Sequence, residues 1–375
     1  MIQVSALENS PSEEAGTPQI TELYSDSESF DVTLYSSQPE EDLTLEAFLI
    51  KPSGTNEKLL ASQVFPVNFS ENPSLMKVGF WDFKNPERGA YTFRARLLEK
   101  EKLLSEAEYD FVYGSNSTSR IQVNDLVPNS QEISIVLSPR GGASLFDIQY
   151  MLIDNSTVVY LKEVKKQSLT SVPEVFSANW GTLLENNKEY AGRVKIQVYS
   201  PEKEFIASAE NFTAAEDAEI TDIYEDETGA SATVFGRSQV PFEGTLRFSV
   251  YELGNSSQEK PSLIESSQVK VPVLLNDDDE TVEVAWSQRL TKGIYKLEIE
   301  LLGNNGDIIE RRETIIESDL SPGSNTSAIN NSRNDTTSEE EDNGIPGFSL
   351  IAGIAGIAGI AFIAVFLRKR KDKQN

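Results

Sequence analysis

Three tryptophans mark out this chain. Trp81, Trp180 and Trp286 are its only ones, and they lie about 100 residues apart. Each is followed within ten residues by a tyrosine, at Tyr91, Tyr190 and Tyr295. A second landmark keeps nearly the same interval. Ile20-Thr21-Glu22-Leu23-Tyr24 returns as Ile220-Thr221-Asp222-Ile223-Tyr224, with a looser copy at Ile121-Gln122-Val123-Asn124-Asp125-Leu126. The 375 residues therefore read as three copies of one unit plus a remainder.

Within each copy the tyrosine opens a strictly alternating segment. Tyr91, Phe93, Ala95 and Leu97 share one face, with Thr92, Arg94 and Arg96 on the other. Tyr190, Gly192, Val194, Ile196 and Val198 point inward, and Arg193, Lys195 and Gln197 outward. Tyr295, Leu297, Ile299 and Leu301 oppose Lys296, Glu298 and Glu300. Period two with one apolar face is a half-buried strand. Similar stretches occur early in each copy, at Phe30–Leu34, Ile133–Leu137 and Ala232–Val234. Some seven short strands in about 100 residues predict a β-sandwich. The fold class is thus mainly β, with tandem sandwiches at 17–115, 116–216 and 217–319. The aromatic pattern resembles immunoglobulin-like and fibronectin-III-like modules, without their disulfide. Trp and Tyr should bridge the two sheets as core residues rather than stack on a ligand. With short boundaries between them, the sandwiches should meet end to end in a line.

The C-terminus differs in kind. Residues 320–344 are rich in Ser, Asn, Thr and acids with no apolar period, and read as a disordered stalk. Residues 345–367 are apolar and match the roughly 20 residues a helix needs to cross a bilayer. Arg368 to Lys371 then form a basic cluster in the tail 368–375, expected on the cytoplasmic side. Pro346-Gly347-Phe348, the hydrophobic stretch and the basic cluster together resemble the PGF-type sorting signal of archaeal surface proteins. That resemblance implies an archaeosortase-type enzyme that removes the tail, and a lipid anchor on the new terminus. The alternative is an uncleaved transmembrane helix. Either way the membrane is a partner, and the bulk of the chain is expected outside the cell. Residues 1–16 lack a basic start and a long apolar core; Val4-Ser5-Ala6 resembles the end of a cleavage site, and the segment reads as a signal-peptide remnant. The competing reading is a tail-anchored protein with its bulk in the cytosol.

Composition removes whole classes of chemistry. The chain has no cysteine and no histidine. Thiol catalysis, disulfides, Ser-His-Asp triads and the usual zinc sites are excluded. Its net charge of −27 opposes nucleic-acid binding. No catalytic or cofactor-binding residue and no cofactor is expected. The densest acid run, Asn276-Asp277-Asp278-Asp279-Glu280, makes Asp277, Asp278 and Asp279 the only metal-ligand candidates, and a solvated loop explains them more simply. Eight Asn-X-Ser/Thr sequons occur, at Asn68, Asn116, Asn155, Asn211, Asn255, Asn325, Asn330 and Asn334. They matter only in an exported chain, where accessible loops take glycans.

The function these features favour is a non-enzymatic surface protein that displays sandwich modules for adhesion, envelope structure or ligand capture. Its partners would be other envelope proteins or glycans. A binding subunit of a transporter or sensor, and a carboxylate-based hydrolase of envelope polymers, are the alternatives.

Overall fold

The computed structural model describes residues 17–319 apart from 54–55, 71, 83–85, 115–118, 200–203 and 254–259. These residues are all-β. The first seven strands are β1 (Gln19–Ser25), β2 (Ser29–Tyr35), β3 (Glu40–Ser53), β4 (Asn56–Phe69), β5 (Ser74–Phe80), β6 (Gly89–Glu99) and β7 (Lys102–Tyr113). The next set is β8 (Ile121–Pro128), β9 (Glu132–Pro139), β10 (Ser144–Asp154), β11 (Thr157–Leu169), β12 (Glu174–Asn179), β13 (Glu189–Val198) and β14 (Glu204–Thr213). The last is β15 (Ala218–Glu225), β16 (Gly229–Gly236), β17 (Thr245–Glu252), β18 (Ser262–Lys270), β19 (Asp279–Ala285), β20 (Gly293–Leu302) and β21 (Ile308–Ser318).

Each set folds the same way. Its first, second and fifth strands form a three-stranded layer, and its fourth, third, sixth and seventh form a four-stranded layer. The fourth strand joins the larger layer, which departs from the constant-type immunoglobulin order. Between the layers lies one apolar core per set. The alternating residues of β6, β13 and β20 supply much of it, as their period demands.

The tryptophans and tyrosines hold the layers in equivalent ways. Trp81 Nε1 donates to Ser25 Oγ at 3.1 Å, Trp180 Nε1 to the Asn129 carbonyl at 2.7 Å, and Trp286 Nε1 to the Asp226 carbonyl at 3.2 Å. Each indole thus ties the core to the end of its first hairpin. Those hairpins are pinned by an acid or amide side chain. Asp26, Asn129 and Asp226 each accept two backbone N–H groups through Oδ1. Such Asx turns place the first two strands in register. Tyr91 and Tyr295 donate to the carbonyls of Glu87 and Thr291, four residues upstream, at 2.5 and 2.9 Å. Tyr190 instead accepts from the Glu185 N–H at 3.2 Å. A tyrosine at the start of the sixth strand that bonds upstream backbone is a corner device of sandwiches.

The sandwiches do not all meet end to end. Edge strand β5 of the first pairs with edge strand β11 of the second at Lys77 and Thr157. The first three-stranded layer and the second four-stranded layer thereby become one seven-stranded sheet, β1-β2-β5-β11-β10-β13-β14. Side chains from the outer faces of the two layers also meet, Arg193 with Asp31 and Tyr24 with Phe205. The second and third sandwiches meet differently, through loops: Leu184 N–H donates to the Gln239 carbonyl at 3.0 Å, and Gln239 N–H to that of Ser130 at 2.9 Å.

Candidate functional site: the joint between the first two sandwiches

The joint is built on residues that point away from their own cores. In β10 the run Tyr150-Met151-Leu152-Ile153 is buried without a break. Tyr150 and Leu152 enter the middle core, while Met151 and Ile153 form a separate cluster with Val78 and Ala191. Met76 and Val158 pack against its rim. Both faces of this strand are therefore apolar, as in any strand covered on both sides. Burying a side chain of this size contributes roughly 1.5–3 kcal/mol.

Beside that cluster lies a buried charge group. Arg193 and Lys195 stand on the outer face of β13, and Asp31 on the outer face of β2. Asp31 accepts from Arg193 Nη1 through Oδ2 at 2.7 Å and from Lys195 Nζ through Oδ1 at 2.8 Å. Arg193 Nη2 also donates to Ser29 Oγ at 3.2 Å. The Arg193 side chain is 0% exposed and that of Asp31 1%. The group holds two cations and one anion. Aromatic rings face the surplus positive charge: Lys195 Nζ lies 4.6 Å from the Tyr24 ring centroid and 5.3 Å from that of Phe205. Such contacts contribute roughly 0.5–2 kcal/mol each, more when dry. Desolvation lowers the Lys195 pKa, and Asp31 opposes that shift. Burial pushes the neighbouring Tyr109 hydroxyl up to about 12, with the Asp31 charge adding to it.

The edge of the joint is tied by backbone. Val78 N–H donates to the Ser156 carbonyl at 2.9 Å, and Lys77 Nζ to Thr157 Oγ1 at 2.8 Å. Lys77 is 7% exposed, and burial lowers its pKa.

The described residues also carry two surface depressions, one beside the joint and one on the far side of the first sandwich. One of about 310 Å³ opens where β5 and β11 diverge, between Thr33, Met76, Tyr160 and Leu161. The other, of about 340 Å³, lies on the outer face of the first four-stranded layer, over Phe48, Leu59, Arg94 and Arg96.

The residues singled out from sequence fall elsewhere. Asp277 lies with Asn276 in the turn before β19, Asp278 closes that turn, and Asp279 starts the strand. Asp278 Oδ2 caps the Leu275 N–H at 3.0 Å, and Asp277 holds a left-handed φ of 69°. Among the described residues no group of three His, Cys, Asp or Glu is placed to hold a metal. Asn68 lies on β4, where its Oδ1 accepts from the Asp42 N–H at 3.1 Å, and Asn211 on β14. Both sit in strands. Asn155 does occupy a turn, between β10 and β11. Asn116, Asn255, Asn325, Asn330 and Asn334, the sorting-signal residues Pro346, Gly347 and Phe348, and the membrane segment 345–367 lie outside the described residues. Among the described residues no helix is long and apolar enough to cross a membrane.

No family model matches the chain. None of the curated proteins matches it. Among solved structures it is similar to native Escherichia coli alpha-2-macroglobulin, at 12% identity and a TM-score of 0.21 over 81% of this chain and 22% of that one. A DUF4785 family protein from Legionella pneumophila is similar at 9% identity and a TM-score of 0.26, over 81% of this chain and 90% of that one. The FN1–FN3 domains of chicken CNTN1 are similar at 11% identity and a TM-score of 0.23, over 81% and 99%. At these scores the similarity carries no argument, and the β-sandwich assignment rests on strand order and cores.

Proposed function

We propose that the chain is a non-enzymatic surface protein that displays β-sandwich modules, tethered through its C-terminus. The observation that supports this reading most is the joint. Two sandwiches are locked face to face by a dry charge group and a sheet that runs from one into the other. Such a lock holds modules in a fixed relation, which suits display or envelope structure. The Pro346-Gly347-Phe348 signal and the stalk supply the tether, with an archaeosortase-type enzyme as processing partner. Sequons along the chain suit a glycan-bearing exterior.

The test is protease shaving of intact source cells, followed by mass spectrometry. Release of peptides from 17–319, with no peptide from Phe348 onward in the mature protein, is the expected result. Protection of 17–319 in intact cells would overturn the surface reading. An intact Arg368–Asn375 end on shaved protein would leave an uncleaved helix as the tether.

A further inference from the structure

Among the described residues, the sequon at the joint differs from those at Asn68 and Asn211 in what holds it. Asn155 and Ser156 form a two-residue hairpin turn, both with positive φ, at 45° and 64°, and Asp154 pairs with Thr157 across it. That is the tight hairpin geometry in which both central residues are left-handed. The Asn155 side chain is exposed. The two residues after it are engaged by the first sandwich. The Ser156 carbonyl accepts from Val78 N–H, and Thr157 Oγ1 accepts from the buried Lys77 ammonium. The motif requires a hydroxyl at its third position, so that hydroxyl is what a transferase reads. In the closed joint this hydroxyl is occupied and its backbone is paired. Asn211-Phe212-Thr213 is held by its own sandwich: Asn211 pairs with Ala191, and Phe212 packs on the middle core.

We propose that the turn Asn155-Ser156-Thr157 is a glycan acceptor that is open only while the first sandwich is undocked from the second, so that modification there precedes closure of the joint. The donor is a lipid-linked oligosaccharide. Asn155 Nδ2 bonds to the anomeric carbon as that carbon's bond to the lipid phosphate oxygen breaks. The phosphate leaves with the electron pair, and the Nδ2 proton passes to solvent. A glycan added at the exposed tip then stays outside the closed joint. The inference rests on the reading of an exported chain.

The experiment uses the purified full chain, a purified single-subunit oligosaccharyltransferase and a lipid-linked oligosaccharide, with occupancy read by peptide mass spectrometry. In the native protein Asn155 should be modified at least about tenfold more slowly than in Asp31→Ala, because closure makes the site depend on a local opening. Asn211, in the same molecules, should change by less than about twofold, since its own sandwich stays folded. If Asp31→Ala unfolds the middle sandwich, both sites will accelerate together, and Arg193→Met then decides between joint and fold. Native Asn155 modified as fast as in urea-unfolded chain would overturn the proposal. So would an unfolded chain left unmodified at Asn155. Because all components are purified, these outcomes do not depend on export. Failure of the export reading shows separately, as protein from source cells that carries no glycan at any sequon.

Discussion

The outer face of the sixth strand occurs three times in this molecule, with three electrostatic solutions. In the first sandwich Arg94 and Arg96 lie across from Glu108 and Glu106 on β7. Arg94 pairs with Glu108 and with Glu57 of β4, and Arg96 with Glu46 of β3. The third sandwich reverses the signs. Glu298 and Glu300 stand at the matching places, and Arg247 and Arg311 both bond Glu300 while Lys296 bonds Glu298. Both faces neutralise themselves within one sheet; in the third, Glu300 lies buried beneath Arg247 and Arg311, whose own side chains remain 40% and 49% exposed. In the second sandwich the cross-strand neighbours of Arg193 and Lys195 are Ala209 and Ala207 on one side, Met151 and Gln149 on the other. None is an acid. These cations find their anion in another sandwich, at Asp31. A charged face is therefore a solvent face where its own sheet supplies the counter-ions, and a joint where it does not.

The sharpest way to break this comparison is to remove one anion from each solution. Asp31→Ala leaves two desolvated cations and should cost about 3–5 kcal/mol in the first two sandwiches. Glu108→Ala, which leaves the partly exposed Arg94 still paired with Glu57, should cost less than about 1 kcal/mol. Denaturant melts give both values, and hydrogen exchange at the Val78 amide localises the first. Comparable losses at the two positions would erase the distinction.

Apolar packing gives a second, smaller contrast. Met151 is fully buried between sandwiches, whereas Phe48, across from Arg94 in the first sandwich, is only partly covered. Met151→Ala should cost about 2–4 kcal/mol through the void it leaves. Phe48→Ala should cost distinctly less. Tryptophan fluorescence during unfolding follows both.

pH sharpens the comparison in the third sandwich. Burial raises the Glu300 pKa, but the hydrogen bonds from Arg247 and Arg311 outweigh it and hold the carboxyl below its usual range. A carboxyl lowered by folding stabilises the fold above its unfolded pKa, about 4.3 for glutamate, and that stability is lost as pH falls through the folded pKa. Thermal melts of the wild type should therefore lose part of the third sandwich's stability below about pH 4, and Glu300→Gln should remove that pH-dependent part. Burial raises the pKa of Glu216, at the second joint, so its contribution has the opposite sign and is lost as pH rises.

Much of the fold was legible in the sequence because alternation is a local property. Tyr190, Val194 and Ile196 face the core on the face their period assigns, and each tryptophan falls in its own core. The joint was not legible in the same way. Period two says which residues turn away from their own core, and it is silent on whether water or another sandwich lies there. Arg193 and Lys195 were outward as read, yet Arg193 is buried and Lys195 mostly covered. Two signals did point to the cover. One is the unbroken apolar run Tyr150-Met151-Leu152-Ile153, where a half-solvated strand would alternate. The other is the absence of acids across from Arg193 and Lys195, which appears only once the register is known. Asp31, set between the core residues Phe30 and Val32, carries nothing in the sequence but its alternation to mark it as outward. The line of end-to-end sandwiches failed at the first joint for the same reason: sheet pairing between distant edges has no local signature.

The central claim is that Asp31 and Arg193 act on each other across two sandwiches. A double-mutant cycle of Asp31→Ala and Arg193→Met in the full chain, read by denaturant unfolding, tests it directly. The account predicts a coupling of about 2 kcal/mol or more, because Asp31→Ala alone leaves the buried Arg193 guanidinium without its anion, and the double variant removes that guanidinium while Lys195 stays in every variant. Additive losses, with coupling within about 0.5 kcal/mol of zero, would contradict it and return the outer face of β13 to solvent.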